Sequence, residues 1–151
     1  EKEQMERIVS GAPYAWRLNM EKALEMAGET LFWKEIGTQI SIGPIEANPA
    51  QWGDVVIARK DTPTSYHLSV VVDDALQGIT HIVRGRDLFH ATSVHRLLQK
   101  LLGLPEPLYH HHDLVLGDDG LKLSKSRKDT ALSSLREQGF TPDDIRARLS
   151  L

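Results

Sequence analysis

The stretch DTPTSYHLSVVVDDALQGITHIVRG, residues 61–85, decides the fold. Its first part can be read two ways. Val70-Val71-Val72 is a β-branched run that suits a strand. Against that, Thr62 stands as an N-cap, Pro63 follows at the first helical position and Gly78 offers a stop. Together these signals predict a helix over 62–77. THIVRG (80–85) then reads as a short strand ended by glycine. Working outward, ATSVHRLLQKLLG (91–103) is an amphipathic helix whose buried stripe is Val94, Leu97, Leu98, Leu101 and Leu102. LYHHHDLVLG (108–117) is a strand. Helix, strand, helix, strand is the rhythm of a parallel α/β sheet. Such sheets bind ligands beyond the carboxyl ends of their strands, where RGRD (84–87) and the basic stretch after Gly117 both fall.

Before this stretch lies a small α+β unit. Residues 3–10 predict a short helix ended by Gly11 and Pro13, YAWRL (14–18) a strand, and NMEKALEMAG (19–28) a helix capped by Asn19 and stopped by Gly28. TLFWKEI (30–36) and DVVIARK (54–60) read as strands. The three tryptophans, Trp16, Trp33 and Trp52, all fall here and are expected to form a local core. At the other end, two helices are expected at about 129–138 and 142–150, the second opened by Thr141 and Pro142. The texture changes from residue 61. The chain has no initiator Met and begins inside a helical pattern, with Met5, Ile8 and Val9 at helical spacing. We expect a C-terminal piece of a longer protein.

Composition narrows the function classes. A chain of 151 residues can bury a real core. Its net charge of −3 argues against nucleic-acid binding by bulk charge, so any polyanion site must be local. The absence of cysteine excludes disulfides and thiolate metal sites within the chain. No apolar run has the length of a membrane span and no signal peptide opens the chain, so a cytoplasmic location without membrane partners is expected.

GLKLSKSRKD (120–129) clusters Lys122, Lys125, Arg127 and Lys128 around Ser124 and Ser126. Lysines three apart in a turn can converge on one polyanion, while hydroxyls and backbone N–H groups add neutral donors. Gly117 and Gly120 would let the loop swing. A solvated surface loop has the same composition, and the residue types alone leave both readings open.

The order of the residues adds more. Lys122-Leu123-Ser124-Lys125-Ser126 resembles, with Leu for Met, the KMSKS signature of class I aminoacyl-tRNA synthetases. Residues 53–126 are similar to the second half of the glutamyl-tRNA synthetase catalytic domain. Within that branch RGRDLFHATSVHRLLQ, and the short run after the signature, resemble the glutamyl-queuosine tRNA(Asp) synthetase family. That family loads ATP-activated glutamate onto the queuosine base of tRNA(Asp). The resemblance implies an α/β fold: the second half of a class I Rossmann-like catalytic domain (54–128) carrying the KLSKS loop, with a small α+β insertion of acceptor-binding type (1–53) and C-terminal helices (129–151). It also implies glutamate, ATP with Mg2+, and tRNA as substrates, and a monomer.

Residue by residue, Tyr66 matches the tyrosine lining the glutamate pocket, and Arg84 the arginine that pairs with the substrate carboxylate. An arginine after an apolar strand, beside Gly85, is independently well placed for that pairing. A salt bridge to Asp73, Asp74 or Asp87 is the competing reading for Arg84, and ordinary packing the competing one for Tyr66. Asp87 falls where the family has an acidic or polar residue near the nucleotide. Lys122, Ser124 and Lys125 would serve the ATP phosphates, with Lys125 the main catalytic lysine and Lys122 its helper. Val70 departs from the family, standing where glutamyl enzymes often have asparagine, so the amino-acid pocket differs there.

His110-His111-His112 invites a metal reading, but on a strand only His110 and His112 share a face. With no carboxylate partner beyond Asp113, solvent-facing imidazoles are expected and no metal is assigned. His67, His81, His90 and His95 receive no role. A zinc site of the kind some relatives carry would lie before residue 1. The HIGH-type motif of class I enzymes is not in this sequence, so the chain alone is expected not to form adenylate. Two alternatives stand beside the queuosine enzyme: a catalytic domain charging tRNA(Glu), and a non-catalytic RNA-binding module on a synthetase scaffold.

Overall fold

The computed structural model describes residues 2–37, 44–117, 120–123 and 131–149. The chain divides into two compact units, Glu1–His112 and Asp113–Leu151.

In the first unit, α1 (Lys2–Val9) precedes β1 (Ala15–Arg17), which pairs antiparallel with β4 (Val56–Arg59). Helix α2 (Met20–Ala27) starts where the Asn19 side chain accepts from Lys22 N–H and stops at Gly28, which takes a left-handed φ of 68°. Both cap signals act as the sequence predicts. Strand β2 (Phe32–Lys34) pairs with β3 (Pro44–Glu46), a strand with no sequence signal of its own. A 3-10 turn covers Pro49–Trp52. Helix α3 (Tyr66–Leu76) begins later than expected, because Ser65 rather than Thr62 supplies the capping oxygen. Strand β5 (His81–Gly85), a 3-10 turn (Arg86–Leu88), helix α4 (Thr92–Leu102) and β6 (Leu108–His112) complete the unit. β5 and β6 run parallel, the α/β element anticipated from the alternation, and Glu35 extends that edge by a parallel bridge to Tyr109.

Helix α4 is the centre of the packing. It lies against α2, α3, β2 and the Pro49–Trp52 turn, and every residue from Thr92 to Gln99 is buried. Val94 and Leu97 are fully shielded, each worth about 1.5–3 kcal/mol of transfer free energy. The expected stripe is corrected at its end, since Leu102 is exposed. The polar side of the helix is corrected more deeply: His95, Arg96 and Gln99 are buried too, each with a partner. Arg96 donates to Phe32 O at 2.7 Å and pairs with Glu106, while Gln99 Nε2 donates to Tyr109 Oη at 3.0 Å. Of the tryptophans only Trp33 joins the core; Trp16 and Trp52 stand exposed on the surface. Among the described residues, no helix is long and apolar enough to cross a membrane.

In the second unit Leu116 and Lys122 form an antiparallel bridge. Helices α5 (Leu132–Glu137) and α6 (Pro142–Arg148) follow. Thr141 opens α6 with a reciprocal capping box to Asp144.

Candidate functional site

Arg84 lies near the carboxyl end of β5, its guanidinium aimed at the space between α3, α4 and β6. Nε donates to His111 Nε2 at 3.0 Å, and Nη1 to His95 Nδ1 at 3.1 Å. Nη2 donates to Leu88 O at 3.3 Å and to Thr92 Oγ1 at 2.7 Å. These bonds engage four of the five guanidinium donors. Each of the four acceptors is uncharged. The Tyr109 ring lies beneath the guanidinium carbon, 5.2 Å from its centroid.

The arginine dictates the proton positions around it. Guanidinium donates and never accepts, so the imidazole nitrogens facing it must carry lone pairs. In His111 that nitrogen is Nε2, which leaves the proton on Nδ1, aimed at Glu35 Oε2 at 2.8 Å. In His95 it is Nδ1, which leaves the proton on Nε2, facing His67 Nδ1 at 3.0 Å. The two rings are thus held in opposite tautomers. His67 in turn keeps its proton on Nε2. Electrostatics agrees with neutral rings throughout. Burial, then the nearby Arg84 charge, pushes His95 from 6.5 down to about 3 and lowers His67. His111 is lowered chiefly by burial, against the pull of Glu35. The Glu35–His111 contact is therefore a hydrogen bond from a neutral ring and not an ion pair.

Glu35 itself is fixed by local geometry. Its bridge to Tyr109 places the carboxyl beside the next residue on the same face of β6. There it accepts from His111 N at 2.8 Å and from Trp33 Nε1 at 3.1 Å. This overturns the expected solvent-facing histidines: His111 is buried and has a carboxylate partner 76 positions earlier. Period-2 alternation places it on the buried face with Tyr109.

Tyr66 opens α3 and is half exposed, with its ring 5.7 Å from those of His67 and His95. Tyr66 and Arg84, singled out separately in the sequence, thus meet on His95. Tyr66 and His67 also form one wall of a cleft of about 520 Å³, whose other sides include Arg17, Trp52, Arg59 and Ser65. Asp74, on α3, has its carboxyl pushed upward by burial despite the Arg84 charge. Asp87 is exposed on the 3-10 turn after β5. Lys122 is exposed on the returning arm of its turn, in the second unit. Ser124 and Lys125 lie outside the described residues. Among those residues, no group of three or more His, Cys, Asp or Glu is placed to hold a metal ion.

The glutamyl-Q tRNA(Asp) synthetase of Rhodobacter capsulatus is 50% identical over 119 residues, 79% of this chain and 40% of that protein. The glutamate–tRNA ligase of Aquifex aeolicus is 41% identical over 103 residues, 68% of this chain and 22% of that protein. The solved structure of a glutamate–tRNA synthetase from Elizabethkingia anophelis, 25% identical, superposes with a TM-score of 0.61 over 85% of this chain and 24% of its own. The chain thus spans 40% or less of the length of each of these relatives. Residues 2–151 match the family described as "tRNA synthetases class I (E and Q), catalytic domain", and the chain belongs to that family.

Proposed function

We propose that this chain forms part of an enzyme that activates glutamate with ATP and transfers it to the queuosine base of tRNA(Asp). The observation that carries the reading is the convergence of Tyr66 and Arg84 on His95 at the end of β5. The four groups that accept from the Arg84 guanidinium are all neutral, so its charge remains available to an anionic ligand. A glutamate carboxylate meets it as a fixed charge, through the remaining donor or by displacing a neutral acceptor. Tyr66 then borders the ligand. Lys122, Ser124 and Lys125 serve the phosphates of ATP, taken as its Mg2+ complex, with Asp87 on the nucleotide side. A carboxylate oxygen of glutamate attacks the α-phosphorus, pyrophosphate leaves, and the lysines balance the charge spread over the leaving oxygens. The choice of queuosine over a tRNA(Glu) end rests on the name of the Rhodobacter capsulatus relative.

The test uses the natural full-length protein. Glutamate-dependent exchange between ATP and pyrophosphate is expected, followed by glutamylation of queuosine-containing tRNA(Asp) and not of the same tRNA lacking queuosine. Absence of exchange with glutamate sinks the reading. Charging of tRNA(Glu) instead supports a second one, favoured by the glutamate–tRNA ligase of Finegoldia magna, 36% identical over 96% of this chain. In either case the chain by itself is expected to be inactive.

A further inference from the structure

Glu35, His111, Arg84, His95 and His67 form one continuous hydrogen-bonded chain across five segments. Its members come from the end of β2, then β6, β5, α4 and α3. Nothing in an arginine that binds a carboxylate requires such a chain. Two backbone carbonyls would hold a guanidinium equally well, and no buried histidine would need to stay neutral. What the histidines add is a condition: each lends its lone pair only while it is unprotonated.

We propose that His95 and His111 are positioning residues for Arg84, holding it from two sides as opposite neutral tautomers, and that a proton entering at His67 loosens that hold and weakens carboxylate binding.

The route follows from the bonding. His67 is the partly exposed histidine of the chain, His95 and His111 being buried, and it lines the open cleft, so it meets solvent protons first. A proton on its Nδ1 confronts the Nε2–H of His95. Relief requires His95 to move its proton to Nδ1, the nitrogen that faces Arg84, and two donors then oppose each other there. Arg84 loses one of its four anchors. The groups facing the chain are few and set its balance. His95 meets Arg84 from β5, Tyr66 and His67 from α3, and the His111 ring from β6. His111 meets Glu35, Phe89, the stacked Tyr109 and, electrostatically, His110. Arg84 also feels Asp74 from α3 and Tyr109 from β6. His67 packs against Trp52 and Tyr66. Burial and the Arg84 charge both keep the rings neutral until the medium is well below their ordinary titration range.

Two measurements on the full-length protein decide the matter. Nitrogen NMR of the imidazole rings at about pH 7 should show His95 protonated on Nε2 and His111 on Nδ1. The reverse tautomer at either ring, or an imidazolium there, overturns the proposal. This arm stands apart from the proposed function. The second arm rests on that function and reads KM for glutamate against KM for ATP. His95→Leu should raise the glutamate KM about tenfold or more and leave the ATP KM unchanged. His95→Asn, whose Oδ1 takes the place of Nδ1 as acceptor, should recover to within about threefold of wild type. Equal losses in both variants, or equal shifts in both KM values, overturn the positioning role. As the pH is lowered below the ordinary histidine range, the glutamate KM should rise in wild type and stay flat in His67→Asn, which keeps the acceptor but takes no proton. Identical pH profiles overturn His67 as the point of entry. If the wild type shows no glutamate-dependent exchange, the proposed function has failed, and the ring tautomers still decide the relay.

Discussion

Arg84 and Lys122 are both cations assigned to substrate, and the protein treats them in opposite ways. Arg84 is half-buried, with four hydrogen bonds fixing its plane and an aromatic ring beneath it. Lys122 is exposed on a segment in which Gly117 N donates to Leu121 O and Leu123 N to Val115 O, at 2.9 and 3.1 Å. The contrast extends to their surroundings. The first unit has a core centred on α4, whereas α5 and α6 of the second bury no residue. A charge that recognises a small ligand gains from being held still, because the cost of ordering it is met at folding. A charge that answers a transition state gains from reaching full contact only then.

Stability should break the comparison most sharply. Leu97→Ala empties a fully buried site in α4 and should cost about 3–5 kcal/mol in denaturant unfolding. Leu132→Ala, on exposed α5, should stay within about 0.5 kcal/mol. Similar losses at the two sites would mean that the second unit is covered in the natural protein.

Activity should break it next. Lys125→Ala in the full-length protein is expected to lower ATP–pyrophosphate exchange by about 10²–10³, in the rate more than in the glutamate KM. An unchanged exchange rate would remove Lys125 from the mechanism.

The acid limb of stability sharpens it further. His95 is neutral in the fold, held near 3, and takes a proton near 6.5 when unfolded. The unfolded chain therefore binds more protons between these values. Its contribution is fully present above about pH 6.5 and is lost progressively as pH falls toward about 3, at no more than about 1.4 kcal/mol per pH unit. His67 and His111 add to the same trend, and the raised Asp74 opposes it at the acid end. His95→Asn should flatten this limb in pH-dependent unfolding.

Local signals made much of the fold readable. Asn19 and Gly28 bracket α2, a glycine ends β5, and apolar periodicity marks α4, because caps and periodicity act over a few residues. Two errors share one cause. Thr62-Pro63 has the composition of a helix start, yet Ser65 is the residue whose hydroxyl reaches the third N–H beyond it. β3 exists only because β2 offers a partner edge. The site divides in the same manner. Arg84 stands out by type and place and Tyr66 through the family resemblance, while Glu35, His95 and His111 look like surface polar residues until positions 28 to 76 apart are brought together. The buried Tyr109, two residues before His111 on a strand, was the one local sign that His111 faces inward.

The smallest effect tests the turn itself. Gly120 N donates to Gly117 O at 2.9 Å. Gly120 holds a left-handed φ of 72°, and a Cβ built there meets nothing within 4 Å. The cost of Gly120→Ala is thus one of backbone conformation alone, about 1 kcal/mol locally. Asn enters the left-handed region more readily, so Gly120→Asn should cost less than Ala. If turn geometry places Lys122, exchange should fall a few-fold in Gly120→Ala and less in Gly120→Asn, following the backbone cost. Equal rates in glycine, alanine and asparagine would show that Lys122 works from a loop whose rest conformation is irrelevant to the reaction.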